Sequence, residues 1–286
     1  MALVADWLSF RRFAAATTGI TLALITLGVY TAATGSGLAC NAEWPLCSGQ
    51  LVPALTINPD FIEWFHRVVA MFAGLQIIAL AAWAWLGGKP RRSRLASTLA
   101  VVLLPLQISI GAVTVTIGGL IPGGYAMPTH AVHLLAALAI YLLLIVTTLW
   151  AYEGRYRRPP GSRVRLALFG AIAGVAVSLP FSRAIPLLAY DPGGQAWYFV
   201  GSLFAFAALV AAIVWTDVRL LRGLASIALA GLFVTMLLGR DIVIYGATVR
   251  ILNVVLLAIV VVSLLVAIAL STRDRGSDRD RRTALS

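Results

Sequence analysis

Asp60-Phe61-Ile62-Glu63-Trp64-Phe65-His66-Arg67 opens an apolar run that continues to Leu86 without another charge. A run that long reads as a membrane span, since about 20 apolar residues cross a hydrocarbon layer. An acid, a histidine and an arginine at its mouth are costly there unless they bind or react with something. Glu63 and His66 are three residues apart, which puts them one turn apart on one helix face. The chain has only three histidines, and the other two, His130 and His133, stand at the matching place in a second apolar run.

The rest of the chain has the same character. Hydrophobic residues make up 60% of its 286 residues and charged ones 12%, against about 25% charge in a soluble domain. The composition predicts an all-α polytopic membrane protein. Eight spans are expected, at about 13–33, 63–86, 95–117, 128–151, 164–181, 196–216, 221–239 and 248–271. The first is longer than the apolar core of a signal peptide and is read as a retained span.

The net charge of +11 is explained by topology. Of the 22 Lys and Arg residues, all but Arg67, Arg183, Arg240 and Arg250 fall on one side of the alternating spans. The positive-inside rule then puts both termini in the cytoplasm of a cell-membrane protein, with some attraction to anionic membrane lipids. Loops this short present no basic face to nucleic acid, so that class of partner is excluded.

The loop after the first span is the longest on the outer side. It carries both cysteines, Cys40 and Cys47, in Thr34-Gly35-Ser36-Gly37-Leu38-Ala39-Cys40 and Trp44-Pro45-Leu46-Cys47. Two nearby thiols on an oxidising face are read as either a disulfide or an unbonded pair. Two sulfurs alone make only half a zinc site. In the third span, Pro105 predicts a kink, tolerable inside a bundle.

The chain divides into a four-helix half over 1–151, an Arg-rich cytoplasmic linker over 152–165, a second four-helix half over 166–271 and a disordered tail over 272–286. The halves look like pseudo-repeated four-helix bundles. Tyr125–His133 aligns without gaps on Tyr245–Asn253, placing Arg250 opposite His130 and Asn253 opposite His133. Glu63–His66 aligns on Ala196–Phe199. Four plus four spans in the same direction make a parallel repeat. The second copy has lost the histidines, the acid and the cysteines, so chemistry is expected in the first half.

His66 and His133 lie at similar depth near the outer surface, where two imidazoles of one bundle can clamp a haem iron from opposite faces. The alternative is two histidines satisfied within the bundle. His130, one turn from His133, is either a second ligand or a hydrogen-bonding group at the haem edge. Glu63 is either a general base beside the porphyrin or an interfacial acid paired with Arg67. Arg67 could instead hold a haem propionate.

Thr34–Cys47 with its Trp-Pro-Leu-Cys segment, the Glu63–Arg67 opening, Leu106-Gln107-Ile108-Ser109-Ile110-Gly111-Ala112 and the His133-Leu134-Leu135-Ala136 stretch together resemble the haem A synthase family. The resemblance is specific over about 17–150 and architectural over 164–271. It implies eight spans in two four-helix halves and oxidation of the C8 methyl of haem o to the formyl of haem a, for terminal oxidase biogenesis. Carried over, His66 and His133 are the axial ligands of the substrate haem, Glu63 the catalytic acid, and Cys40 with Cys47 the outer-loop pair. It also implies a haem o synthase as supplier and an electron donor, and a homo-oligomer is compatible with it. The family's second half holds haem b on its own histidine pair. Here those positions are Phe199 and Asn253, so haem b is not expected.

Two other classes compete. A bis-histidine membrane cytochrome b or haem chaperone explains the ligand pair but needs neither Glu63 nor the cysteine loop. A transporter built on the repeat would want polar residues near mid-membrane in both halves, and few are there.

Overall fold

The structure, a computed structural model, describes residues 9–283 except 42, 44, 119–126, 157–158, 186 and 241–242, and within helices it leaves aside the side chains of 116–118 and 273–283. Several expectations fall outside these residues: Tyr125 in the repeat comparison, Trp44 in the cysteine loop and part of the Arg-rich linker.

Among the described residues eight α-helices follow in order: α1 Phe10–Ala33, α2 Pro59–Leu86, α3 Arg91–Gly118, α4 Met127–Ala151, α5 Pro160–Ser178, α6 Pro192–Trp215, α7 Arg219–Leu238 and α8 Ala247–Thr283. All eight are long and apolar enough to span a membrane. The protein is an all-α, polytopic membrane protein.

Most helices begin a few residues before the apolar run does. The hydrocarbon fixes only the apolar segment, while the first turn is set by local chemistry. At α2, Asn58 accepts the Phe61 amide at 2.9 Å and Pro59 takes the first position, where its missing N–H costs nothing. Pro160 and Pro192 open α5 and α6 likewise. α5 ends at Ser178, earlier than expected, because Pro180 cannot continue the ladder and biases the residue before it away from helix. From residue 272 the chain continues α8 as helix to Thr283, where the sequence suggested a disordered tail. Extending an existing helix avoids the nucleation cost.

The chain separates into two compact units, which change over at Tyr152–Glu153; residues 190–196 and 241–243 group with the first. In the first unit, α1 packs on α2 and α4, and α3 on α2 and α4, closing a ring of four helices. At the end holding Phe10, its core joins Phe10 and Ala14 to Ile77, Leu80 and Ala84, Ala100, and Ile140 and Leu144. Thr18 ties α1 to α4 through the Thr148 hydroxyl at 2.8 Å. The other end of the ring is left for polar groups.

In the second unit, α8 packs on α5 and α7. α6 meets α7 where the Tyr198 hydroxyl donates to the Thr235 carbonyl at 2.9 Å. It meets α5 where Gly174 faces Gly201: a Cβ on Gly174 would fall 2.7 Å from the Gly201 carbonyl oxygen. Each unit therefore has the same neighbour order, first helix to second, second to third, third to fourth, and fourth back to first.

Candidate functional site

The site begins with the loop after α1. Gly35 takes φ +72°, a left-handed conformation suited to glycine, and turns the chain into a single 3-10 turn at Ser36–Leu38. Beyond it Cys40 and Cys47 are joined as a disulfide (S–S 1.98 Å), and both are fully covered. The two sulfurs lie 3.9 and 3.6 Å from the Asp60 carbonyl oxygen. A bonded sulfur has no proton to donate, so these are packing contacts that seat the bridge on the first turn of α2. The Trp64 indole N–H donates to the Leu51 carbonyl at 3.0 Å, a second tie between loop and helix.

Beneath the loop sits Glu63, only 4% exposed. A carboxylate at that depth needs a partner, and the Arg67 Nε donates to Glu63 Oε1 at 2.7 Å. The Arg67 Nη1 donates to the Glu43 carbonyl at 2.6 Å. The Glu43 carboxylate in turn accepts the Gly49 amide at 2.7 Å. Arg67 thus links the buried acid to the disulfide loop with two of its donors. Both readings of Glu63 meet here: it is paired with Arg67, and it lies one turn from His66.

His66 is seven residues past Pro59 and His133 six past Met127, which at about 1.5 Å per residue puts them about 10 and 9 Å along their helices. His130 and His133 are three residues apart on α4, one turn from each other on one face. The His66 and His133 rings each rest against a glycine of a neighbouring helix. A Cβ on Gly28 of α1 would lie 3.0 Å from His66 Cε1, and one on Gly111 of α3 would lie 3.1 Å from His133 Cε1. Both Nδ1 atoms are buried without a hydrogen-bond partner. A buried polar atom left so costs about 1–3 kcal/mol and calls for an explanation. The Gln107 amide nitrogen lies 3.2 Å from His133 Nε2.

Two imidazoles on α2 and α4, opposite helices of the ring, are a donor set that suits haem iron, and the glycine seats leave their rings room. No cluster of three or more metal-binding side chains occurs among the described residues, so the histidine pair suits a metal already carried by a porphyrin better than a free ion. Sequence reasoning had found His66, His133, His130, Glu63, Arg67 and the cysteines. It missed Gly28 and Glu43, and quoted Gln107 and Gly111 only within the Leu106–Ala112 stretch, with no role for either. Gln107 and Gly111 sit four apart, a spacing that puts both on one face of α3. That was the signal available.

In the second unit the corresponding positions do other work. Phe199 is wholly buried in the core. The Asn253 amide donates to the Tyr245 hydroxyl at 3.0 Å. Arg250 lines a pocket of about 730 Å³ with Arg183 and Tyr245, the Arg183 guanidinium standing 4.2 Å from the Tyr245 ring centre. Among the described residues that pocket is lined by neither histidine nor carboxylate, and a phenylalanine and a committed amide do not fit an iron.

Fold and site together define a polytopic membrane protein with a half-buried histidine pair and, one turn from one of them, an arginine-bound carboxylate. Residues 54–180 match the family model described as cytochrome oxidase assembly protein. A heme A synthase of Bacillus licheniformis is 35% identical over 127 residues, covering 44% of this chain and 40% of that protein. A heme A synthase of Halalkalibacterium halodurans is 27% identical over 215 residues, covering 66% and 70%. A protoheme IX farnesyltransferase of Halobacterium salinarum is 37% identical over 142 residues, covering 50% of this chain and 29% of that protein. The first and third of these matches span less than half of the relative's length. The family-model match takes in α2 to α5, less than half of the chain.

Proposed function

We propose that the chain is a haem A synthase-like membrane oxidoreductase that converts the C8 methyl of haem o to the formyl of haem a for a terminal oxidase. The observation that carries this reading is the grouping of two glycine-seated imidazoles with a buried carboxylate one turn from one of them. His66 and His133 hold the substrate's iron, and His130 serves the haem edge. Glu63 accepts a proton released as the methyl is oxidised, a role worth about 10²- to 10⁴-fold. Arg67 fixes the carboxylate beneath the disulfide loop and takes the place of a simple propionate anchor.

The second unit holds no haem b in this reading, so the electron donor reaches the substrate haem by another route. Both termini lie in the cytoplasm, and the disulfide end of the first unit faces outward. A relative named for haem farnesylation that contains a stretch similar to this chain supports a haem o synthase as the supplying partner.

The test is haem extraction and mass analysis of the protein purified from cells that also make haem o, for wild type and Glu63→Ala. Haem a or its hydroxymethyl precursor in wild type, with unconverted haem o in the variant, is the expected result. Haem b alone in both, lost in His66→Ala, overturns the enzyme and leaves an electron-carrying cytochrome.

A further inference from the structure

The Leu106–Ala112 stretch of α3 carries no role in the chemistry above, yet two of its residues meet one ring. Gly111 leaves the space in which His133 Cε1 sits. Gln107 brings its amide nitrogen to 3.2 Å from His133 Nε2. An amide nitrogen only donates, so Nε2 is the acceptor and the ring proton is on Nδ1, which is buried and has no partner. The Gln107 Oε1 is likewise buried and has no partner among the described residues. His66 differs. Its ring rests on Gly28, and its Nδ1 is buried with no hydrogen-bond partner among the described residues.

The Nε2 lone pair is the one an axial histidine gives to iron when its proton is on Nδ1. Gln107 therefore selects the tautomer of His133 that can ligate, and offers the ring somewhere to go when it lets iron go. We propose that Gln107 makes His133 the exchangeable member of the histidine pair, its amide N–H and the iron competing for the same Nε2 lone pair, while His66 stays bound. One bond forms as the other breaks, with no change in protonation: an iron–nitrogen bond is exchanged for an N–H···N hydrogen bond. Gln107 is a positioning residue, acting on the substrate's iron only through His133. The inference rests on the reading of His66 and His133 as a haem clamp.

Carbon monoxide reports this exchange without turnover, because it binds reduced haem only where an axial ligand leaves. The haem-loaded full-length protein is reduced and titrated with carbon monoxide, in wild type, Gln107→Leu and Gln107→Asn, following the optical spectrum. A neutral hydrogen bond is worth about a two- to twelvefold change in an equilibrium. Gln107→Leu is expected to bind carbon monoxide weaker by that factor, with the bis-histidine spectrum before addition unchanged. Gln107→Asn, one methylene too short to reach, is expected to match it and serves should the leucine variant fail to fold. Equal affinity in wild type and both variants overturns the exchange, as does tighter binding. Loading of haem unimpaired in both His66→Ala and His133→Ala sinks the clamp itself, and this inference with it; a clamp that holds while the affinities stay equal sinks the inference alone.

Discussion

Adding one methyl group at Gly28 separates the stability of the first unit from its ability to hold a ligand. Gly28 lies within α1, so alanine there gains about 0.8–1.0 kcal/mol of helix propensity. Its Cβ would stand 3.0 Å from His66 Cε1, where carbon atoms rest at about 3.5–4.0 Å. The imidazole must move by about 0.5–1 Å, and overpacking of this size costs about 1–3 kcal/mol. The two terms leave a net loss of about 0–2 kcal/mol, small enough for the fold to survive. The ligand geometry fares worse, since such sites tolerate only about 0.5 Å. Gly28→Ala is expected to lose about 10- to 100-fold in haem affinity, the range that follows disturbance of a metal-bound histidine's support. Gly19→Ala is the control, in the same helix with nothing within 4 Å of the new methyl. The assay is haem content and optical spectrum of the purified variants beside their thermal unfolding in detergent. Wild-type haem loading in Gly28→Ala, with Gly19→Ala behaving normally, would refute the seat and the role of His66 as a ligand.

Arg67→Gln removes the partner of a buried carboxylate, which costs about 3–5 kcal/mol, and should lower the unfolding temperature markedly; Arg67→Lys keeps the charge but, as a point donor, cannot bridge Glu63 and the Glu43 carbonyl. The lysine variant should load haem normally and convert it more slowly, read by haem mass analysis; equal conversion would show that the bridge is unimportant. Replacing Cys40 and Cys47 by alanine opens a cross-link of sequence separation 7, worth about 2–3 kcal/mol by loop entropy. Wild type treated with reductant should unfold at the variant's temperature, and the variant should not respond to reductant at all.

The eight spans were legible because the hydrocarbon layer imposes one requirement, length of apolar run, that is written residue by residue. Helix ends were less so, since they depend on caps such as Asn58 and stops such as Pro180. The histidines and Glu63 stood out because ionisable groups are rare in such runs. Gln107 did not reveal its role, because one polar residue in a span does not say which neighbour it meets. Gly28 was invisible for a related reason. A glycine in an apolar helix can make room for a backbone, a ring or nothing, and only the packed neighbour decides. The cysteine pair stood open between bond and thiols until the loop brought the two together over Asp60.

The two units put glycine to different uses, and this bears on why only one of them keeps histidines. In the first, Gly28 and Gly111 each face an imidazole edge, so the missing Cβ makes room for a side chain. In the second, the missing Cβ atoms of Gly174 and Gly201 let two backbones meet, each position falling within 2.7 Å of the other's carbonyl oxygen. Close approach through small residues is how membrane helices gain contact where no hydrophobic force draws them together. The α5–α6 seam is therefore shut by backbone contact at Gly174 and Gly201, two residues along α6 from Phe199, which fills the core completely. The second unit also seats a ring against a glycine, a Cβ on Gly239 falling 2.9 Å from Tyr198 Cε1, but that ring is a tyrosine whose hydroxyl is committed to the Thr235 carbonyl, so the space serves packing and not a ligand.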